Sequence, residues 1–269
     1  MPEGHTIHRI ARDHQQWFTG QKMAVDSPQG RFASEAKGLD GQTLREVTAK
    51  GKHLFYHWSN HRIIHIHLGL YGKFRVQPNP AIDPRGAVRL RMIGRDKTLD
   101  LNGPNCCELI NHQHFTGILK RLGEDPLDPA ASSAVVWNRL QKTRTAIGCL
   151  LLNQNIIAGI GNIYRTEILF LLGIHPETPS NQIRHQQFDQ LWKLTVDLMN
   201  QGVKANRIIT TRPRGKATGK RRLKPTEPMN IYKKNQCPNC KSQIVTWLLA
   251  SRKIYVCPNC QPLKSQPTE

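Results

Sequence analysis

Four cysteines near the end of the chain restrict its fold more than any other feature of the sequence. They form the pattern C-x2-C-x16-C-x2-C, with Cys237, Cys240, Cys257 and Cys260 as its members. Each close pair can bind one side of a tetrahedral ion, and a hairpin between the pairs would bring them together. Four thiolates suit zinc and leave no open coordination position, so the pattern predicts one structural Zn²⁺. A redox pair or free thiols are the alternatives.

The charge balance indicates a polyanionic partner. The 269 residues include 39 Lys and Arg against 19 Asp and Glu, a formal net charge of +20. This charge favours nucleic acid through electrostatic attraction and counterion release. An anionic membrane surface is the alternative, but no stretch approaches the roughly 18 apolar residues of a spanning helix, and no signal-peptide pattern precedes MPEG. We therefore expect a cytoplasmic protein with no membrane association.

The chain is expected to divide into three parts. Residues 5–18 place apolar side chains at helical spacing, with the histidines, Arg, Asp and Gln of that stretch facing water. Short runs such as TLREVTA and RIIHIHL, separated by turns, predict a β-rich part up to about residue 122. After the X-Pro breaks of RLGEDPLDPAASS, long periodic segments predict helices. The prediction is an α+β multidomain chain divided as 1–122, 123–225 and 226–263.

A basic tract follows the helical segments. Residues 200–236 carry 11 Lys and Arg and one Glu, a charge of +10 and half of the total. Most of it lies in 204–224, which is either a solvated linker or an arm that contacts phosphate. Beyond it, IVTWLLA and KIYVC predict the two strands of the hairpin, with Arg252 at the turn, where it could enter a groove or be merely solvated.

The stretch LLNQNIIAGIGNIYRTEILF, residues 151–170, predicts two helices around a glycine turn. The first helix would end near Ile156 and the second would start near Asn162. As an N-cap, Asn162 would stand beside free N–H groups that suit a phosphate, although plain helix packing is the alternative.

Other candidate residues lie near the amino terminus and in tight turns. Removal of Met1 would expose the amine of Pro2 beside Glu3, and this pair is either a helix lead-in or a nucleophile with its acid. Lys52 follows Gly51 in AKGKHLFYHW and is a candidate cation near phosphates or a solvated lysine. Leu70 and Tyr71 are either hairpin residues or a wedge for a base stack.

Two histidines on one strand face, His65 and His67, could suggest a metal. We expect structural histidines instead, because the sequence places no third ligand nearby. Cys106, Cys107 and Cys149 are expected to be ordinary buried small residues.

The order of these motifs resembles the formamidopyrimidine-DNA glycosylase/endonuclease VIII family along essentially the whole chain. The resemblance rests on PEG at the start, GKHLF, HLGLYG, RLGEDPL, NQNIIAGIGNIYRTEILF and the CPNC ribbon with Arg252. The MPEGHT start and the GLYG turn look most like the actinobacterial type of endonuclease VIII. The resemblance implies an N-terminal helix with a β-sandwich, a helix-two-turn-helix domain and a zinc ribbon.

The resemblance also implies catalytic residues. Pro2 matches the amine that attacks the sugar C1′ of a damaged nucleotide, and Glu3 matches the acid/base that shuttles protons. Lys52 matches the lysine that contacts a phosphate and assists β-elimination, while Arg252 matches the finger arginine assigned to δ-elimination. The expected product is a one-nucleotide gap with phosphate at both ends.

The remaining implied residues bind DNA. Leu70 and Tyr71 would fill the space left by a flipped base, and Arg121 and Asn162 match DNA-binding positions. We therefore expect a monomeric, nucleoid-associated DNA glycosylase/AP lyase of base excision repair, acting on oxidised bases of double-stranded DNA with a preference for pyrimidines. A non-catalytic zinc-ribbon protein that binds damaged or abasic DNA is the alternative. A zinc nuclease is disfavoured, because four thiolates leave no place for activated water.

Two positions and one segment depart from the family pattern. Many relatives have a second Glu where Thr6 stands, and endonuclease VIII relatives often have Gln where Gly69 stands. The tract 204–224 is also unlike the most familiar members.

Overall fold

The computed structural model describes residues 2–79, 82–211 and 228–263. By its internal contacts the chain forms two compact units, Met1–Arg121 and Leu122–Glu269. The first is built mainly of strands and the second mainly of helices, so the predicted α+β class is confirmed. The expected division at 225/226 and residues 212–224 of the basic tract lie outside the described ranges.

The described residues of the first unit form three helices and eight strands. The helices are α1 Gly4–Phe18, α2 Ala33–Lys37 and α3 His112–Arg121. The strands are β1 Ala24–Asp26, β2 Leu44–Lys50, β3 His53–Trp58, β4 Ile63–His67, β5 Lys73–Pro78, β6 Val88–Ile93, β7 Lys97–Asn102 and β8 Cys106–Ile110.

Two antiparallel four-stranded sheets form the predicted sandwich. One sheet has the strand order β2-β3-β4-β8 and the other β1-β6-β7-β5. Alternate residues of each strand point to opposite faces, so one set of side chains from each sheet enters the core. That core includes Leu54, Tyr56 and Ile64 from the first sheet and Leu90 and Leu101 from the second.

Helix α1 packs its apolar face on this core, as its periodicity predicts. Ile7, Ala11 and Phe18 are buried in the shared cluster. The expectation that its histidines face water is wrong for His5 and His14, which are both buried. His14 reaches into the core because its Nδ1 lies 2.7 Å from the Tyr56 hydroxyl, which satisfies the ring nitrogen there.

Burial of His14 makes the first unit sensitive to acid. Desolvation lowers the pKa of His14 from 6.5 to about 3. The unfolded chain therefore binds a proton at His14 more tightly than the folded chain does. The free energy of unfolding is highest above about pH 6.5 and falls as the pH drops towards 3. Between pH 7 and pH 4.5 we expect His14 alone to cost roughly 2 kcal/mol of unfolding free energy.

Urea unfolding at the two pH values tests this expectation. His14→Gln should reduce the pH dependence by that amount, because glutamine does not titrate. His114→Gln is the matched control, since His114 lies on the exposed surface of the same unit. An identical pH dependence in all three proteins would contradict the assignment to His14.

The second unit combines helices with one hairpin. The helices are α4 Ser133–Gln141, α5 Ile147–Leu150, α6 Asn162–Leu171 and α7 His185–Ala205, with a 3-10 turn at Ser180–Gln182. The hairpin strands are β9 Val245–Leu249 and β10 Arg252–Val256. The expected helix ending near Ile156 is shorter: α5 ends at Leu150, and turns lead from there to α6. No helix within the three described ranges has both the length and the apolar character needed to cross a bilayer.

Glu167 of α6 bonds to the segments on either side of residues 212–227. Its carboxylate is fully buried. It accepts hydrogen bonds from the Thr210 hydroxyl on one side and from the backbone N–H groups of Asn230, Ile231 and Tyr232 on the other. The backbone N–H of Thr210 also donates to the carbonyl of Pro228, at 2.7 Å. The chain before and after residues 212–227 is therefore joined at one buried anion.

Candidate functional site

The amino terminus places a buried carboxylic acid next to Pro2. Glu3 is fully buried, and its carbonyl accepts the backbone N–H of Thr6 at 2.9 Å as the first turn of α1 begins. Pro2, which is half-buried, directly precedes it. The N-terminal end of a helix favours negative charge, so this position suits a carboxylate that holds or releases a proton.

Lys52 and Arg121 lie around one group of histidines, His53, His65 and His67, which we call the histidine cluster. Lys52 stands in the tight β2–β3 turn, where Gly51 has φ +57°, and Arg121 ends α3. Burial, then the interactions with His65 and His67, and last those with Arg121 and Lys52 lower the pKa of His53 to about 3. Two of the predicted residues therefore act electrostatically on the same histidine of the first unit.

The GLYG turn presents its two middle side chains to solvent. Leu70 is 49% exposed and Tyr71 is 83% exposed, unusual values for large apolar residues. Gly69 has φ +65°, and a Cβ there would lie 2.7 Å from the Asn105 Cβ. The turn therefore requires glycine at this position, which is a physical reason for the departure from the Gln of many relatives.

Asn162 and Arg252 are connected through a buried arginine, Arg165. The Asn162 Nδ2 donates to the carbonyl of Lys253 at 2.9 Å, and its Oδ1 accepts from the Arg165 guanidinium. The same guanidinium donates to the carbonyls of Leu249 at 3.0 Å and Arg252 at 3.3 Å. Arg165 thus holds both ends of the hairpin turn against the start of α6.

The expected N-cap at Asn162 is wrong. Gly161 occupies the cap position, and Asn162 is the first residue of α6 and is buried. Its side-chain amide bonds to the Arg165 guanidinium and to the Lys253 carbonyl of the hairpin. Sequence spacing could not show the bond to Lys253, since Lys253 lies 91 residues from Asn162 in the chain.

No sequence motif distinguishes Arg165 from the other arginines of the chain. We expect its replacement to weaken DNA binding. Arg165→Met keeps an unbranched apolar stem, but the carbonyls of Leu249 and Arg252 and the Asn162 amide oxygen lose their charged donor. Hydrogen bonds to charged groups contribute about 1.5–3 kcal/mol each, so we expect the unit to lose about 3 kcal/mol of stability.

Chemical unfolding and a DNA-binding titration measure the two effects, and binding should weaken at least about tenfold. Arg139→Met is the matched control, because Arg139 is an exposed arginine of the same unit with one hydrogen bond to the carbonyl of Asn155. Wild-type affinity in folded Arg165→Met protein would show that Arg165 does not position the hairpin.

The hairpin turn is made by Ala250 and Ser251, with φ +51° and +57°. Two central residues with positive φ suit the twist of a two-residue hairpin. Arg252 follows as the first residue of β10, where it pairs with Leu249 and is exposed. It therefore lies one residue beyond the turn in which the sequence placed it.

The four cysteines of the C-x2-C pairs come together as predicted. Their sulfur atoms lie within 4.8 Å of one another, with Sγ–Sγ distances of 3.7 Å for Cys237–Cys260, 3.4 Å for Cys240–Cys257 and 3.6 Å for Cys240–Cys260. Zinc–sulfur bonds of about 2.3 Å in a tetrahedron separate the sulfurs by about 3.8 Å, so the cluster fits the ion. Hydrogen bonding with Ser242 lowers the pKa of Cys240 to about 6, which favours the thiolate that binds metal. The prediction of one structural zinc is confirmed.

Two further possible metal ligands lie near His65, contrary to the expectation that it has none. The Nδ1 of His65 lies 2.7 Å from Glu108 Oε1 and 3.7 Å from Cys106 Sγ. These ligands could not be seen in the sequence, because Cys106 of β8 is 41 residues from His65 along the chain. Cys106, Cys107 and Cys149 are half-buried, not fully buried.

Comparisons with known proteins agree over the whole chain. The family model described as the formamidopyrimidine-DNA glycosylase N-terminal domain matches residues 1–107, and the model of the H2TH domain of the same glycosylase matches residues 122–213. Endonuclease 8 1 of Mycobacterium bovis is 42% identical over 268 residues, covering 97% of this chain and 100% of that protein. Endonuclease 8 of Escherichia coli is 28% identical, with 97% and 100% covered.

A solved structure shows the same fold. The complex between the Lactococcus lactis Fpg and an abasic-site-containing DNA matches with a TM-score of 0.80 at 24% identity, covering 97% of this chain and 100% of that one.

Proposed function

Because the chain belongs to the formamidopyrimidine-DNA glycosylase/endonuclease VIII family, we infer that it is a DNA glycosylase with AP lyase activity that acts on damaged double-stranded DNA in base excision repair. The observation that carries this inference is the start of the chain, where Pro2 precedes the fully buried Glu3 in a unit that the glycosylase model matches from residue 1. We further propose that oxidised pyrimidines are preferred and that the protein acts as a cytoplasmic, nucleoid-associated monomer.

The proposed first step is attack by the Pro2 amine, exposed by removal of Met1, on C1′ of the damaged nucleotide. The bond to the base breaks as the bond from nitrogen to C1′ forms, and the amine proton leaves with the base; the C1′–O4′ bond of the sugar ring then breaks, O4′ takes a proton, and the nitrogen and C1′ form an iminium. Glu3 is proposed to protonate the sugar oxygen and then to shuttle protons, which its burial at the start of α1 supports. The base must first leave the stack at a cost of a few kcal/mol, which is least for a damaged or mispaired base.

The proposed later steps break the two phosphate ester bonds. The iminium acidifies a 2′ proton, and its loss expels the 3′ phosphate; a second elimination expels the 5′ phosphate. Lys52 is proposed to bind a phosphate and assist the first elimination, and Arg252 the second. Lys52 and Arg121 are both cations that lower the pKa of His53, and two cations acting on one histidine support a local phosphate contact.

The DNA contacts of the second unit are proposed to rest on Asn162 and Arg252, which Arg165 holds at the hairpin. Zinc, bound by Cys237, Cys240, Cys257 and Cys260, supplies no reaction chemistry here, because four thiolates complete its coordination. Leu70 and Tyr71 are proposed to fill the space left by the flipped base, in keeping with their exposure.

Product analysis on defined duplexes tests the function. We expect release of thymine glycol, cleavage to a one-nucleotide gap with phosphate at both ends, and a covalent adduct when borohydride reduces the iminium. The alternative, a zinc-ribbon protein that only binds abasic DNA, predicts binding with no adduct and no strand cleavage. A lesion panel that includes oxidised purines then measures the base preference.

The basic tract is proposed to act as an arm that contacts phosphate. Residues 212–227, which lie outside the described ranges, carry seven Lys and Arg and one Glu. Thr210 and Pro228 are hydrogen-bonded at 2.7 Å, so a short Gly-Ser link can replace 212–227 without separating its flanks. If the cations contact phosphate, the slope of log affinity against log salt concentration should become less steep by up to about six. An unchanged slope would favour a solvated linker.

A further inference from the structure

Three side chains of the first unit form a possible metal site remote in sequence from the four cysteines. His65 lies in β4, Cys106 and Glu108 lie in β8, and the antiparallel register places Glu108 opposite His65. The imidazole, thiol and carboxylate donor atoms all lie within 4.8 Å of one another. We propose that His65, Cys106 and Glu108 bind a second divalent transition-metal ion of the zinc class.

The distances are close to those that such an ion requires. Usual zinc bond lengths in a tetrahedron separate an imidazole nitrogen from a sulfur by about 3.6 Å and from a carboxylate oxygen by about 3.4 Å. His65 Nδ1 and Cys106 Sγ are already 3.7 Å apart. Glu108 Oε1, at 2.7 Å from Nδ1, must withdraw by less than 1 Å, and its side chain is 52% exposed and has space to move.

The second nitrogen of His65 has the partner that a metal-bound histidine needs. Its Nε2 lies 2.8 Å from Nδ1 of His53. The Nε2–H group of His65 can donate a hydrogen bond to that nitrogen while Nδ1 of His65 binds the ion. Such a contact fixes the tautomer and orientation of a ligand ring. The His65 ring also stacks on Phe55, with centroids 5.1 Å apart, so its orientation is constrained on both sides.

The charges of the three ligands compensate the ion. A thiolate and a carboxylate carry two negative charges, so a bound dication leaves a neutral centre beside Lys52 and Arg121. A mixed nitrogen, sulfur and oxygen set selects zinc or cobalt over magnesium and calcium, which take oxygen ligands. Binding would also link β4 to β8 at the edge of the sheet that carries Lys52.

Metal content of the full-length protein tests the proposal. After equilibration with micromolar zinc and gel filtration, we expect two zinc ions per wild-type chain by elemental analysis. Cys106→Ala should retain one, and Glu108→Gln should release its second ion at lower chelator concentration than the wild type. Cys149→Ala is the matched control and should retain two, because Cys149 lies in the other unit, away from both clusters.

Cobalt gives a second readout that does not depend on activity. A second equivalent of Co²⁺ should add visible absorption in the wild type and in Cys149→Ala but not in Cys106→Ala. If Cys106→Ala fails to fold, Glu108→Gln tests the proposed site instead, because the Glu108 side chain is half-exposed and its replacement should leave the fold intact. One metal ion per wild-type chain, or two ions held equally by folded Cys106→Ala or Glu108→Gln, would overturn the proposal and leave the three residues as a hydrogen-bonded group only.

Discussion

Blocking the amine of Pro2 is expected to reduce borohydride trapping on abasic DNA to below about 1% of the wild-type level. An uncleaved Gly-Ser extension before Pro2 leaves every side chain in place but converts the secondary amine into an amide, which is not nucleophilic. Covalent catalysis by an amine then has no route to the iminium, and the trapped adduct is its direct product. Denaturing gel electrophoresis after borohydride reduction measures the adduct.

The same extension placed after the last residue is the control and should leave trapping unchanged. Pro2→Gly offers a second test, since it keeps a primary amine but loses the proline ring, and it should trap less than the wild type. Glu3→Gln separates proton transfer from attack, because general acid–base catalysis contributes about 10²–10⁴-fold, so base release should slow by that factor. Full trapping by protein with a verified blocked terminus would assign the nucleophile to another residue.

Loss of the zinc ion is expected to unfold the hairpin and to weaken DNA binding by at least about tenfold. Among the described residues, the apolar cluster under the hairpin has five buried members, Phe170, Ile231, Cys237, Ile244 and Cys257, and two of these are zinc ligands. Structural zinc contributes about 10–16 kcal/mol in small metal-dependent folds, which is comparable to the total stability of a domain. Without it, Arg252 and the Lys253 carbonyl lose their fixed place against Asn162 and Arg165.

Cys257→Ser tests this more cleanly than a chelator, because it changes one identified ligand. Zinc content, limited proteolysis of the hairpin and a DNA titration give independent measurements. Cys149→Ser is the control, since Cys149 is a half-buried cysteine that belongs to neither metal-ligand cluster of the described residues. Normal affinity in protein shown to lack the four-cysteine zinc would mean that the hairpin does not contribute to DNA binding.

The parts of the fold that could be predicted are those fixed by local pattern. The periodicity of Ile7, Ala11 and Phe18 is enough to define α1, and cysteine spacing alone defines the zinc ribbon. The burial of His14 could not be predicted, because it depends on Tyr56, 42 residues away in β3. Polar residues in a helix usually face water, and only a partner from another element makes burial favourable.

The candidate site shows the same limit more sharply. Pro2, Glu3 and Lys52 could be proposed from the sequence because they lie in short motifs. Arg165 has no such signal, since an arginine four residues into a helix is ordinary until the hairpin places the Leu249 and Arg252 carbonyls over it. His65 and Cys106 likewise come together only when β8 pairs with β4.

The buried carboxylate of Glu167 has a consequence for how this chain can change over evolution. Since Glu167 joins both flanks of residues 212–227, insertions or deletions between them leave the packing of α6 and the hairpin intact. Lengthening a connection between fixed ends is inexpensive, about 0.6 kcal/mol for each doubling. The number of cations in residues 212–227 can therefore change without refolding the enzyme. If these cations contact phosphate as proposed, DNA affinity and its salt dependence can be adjusted separately from catalysis.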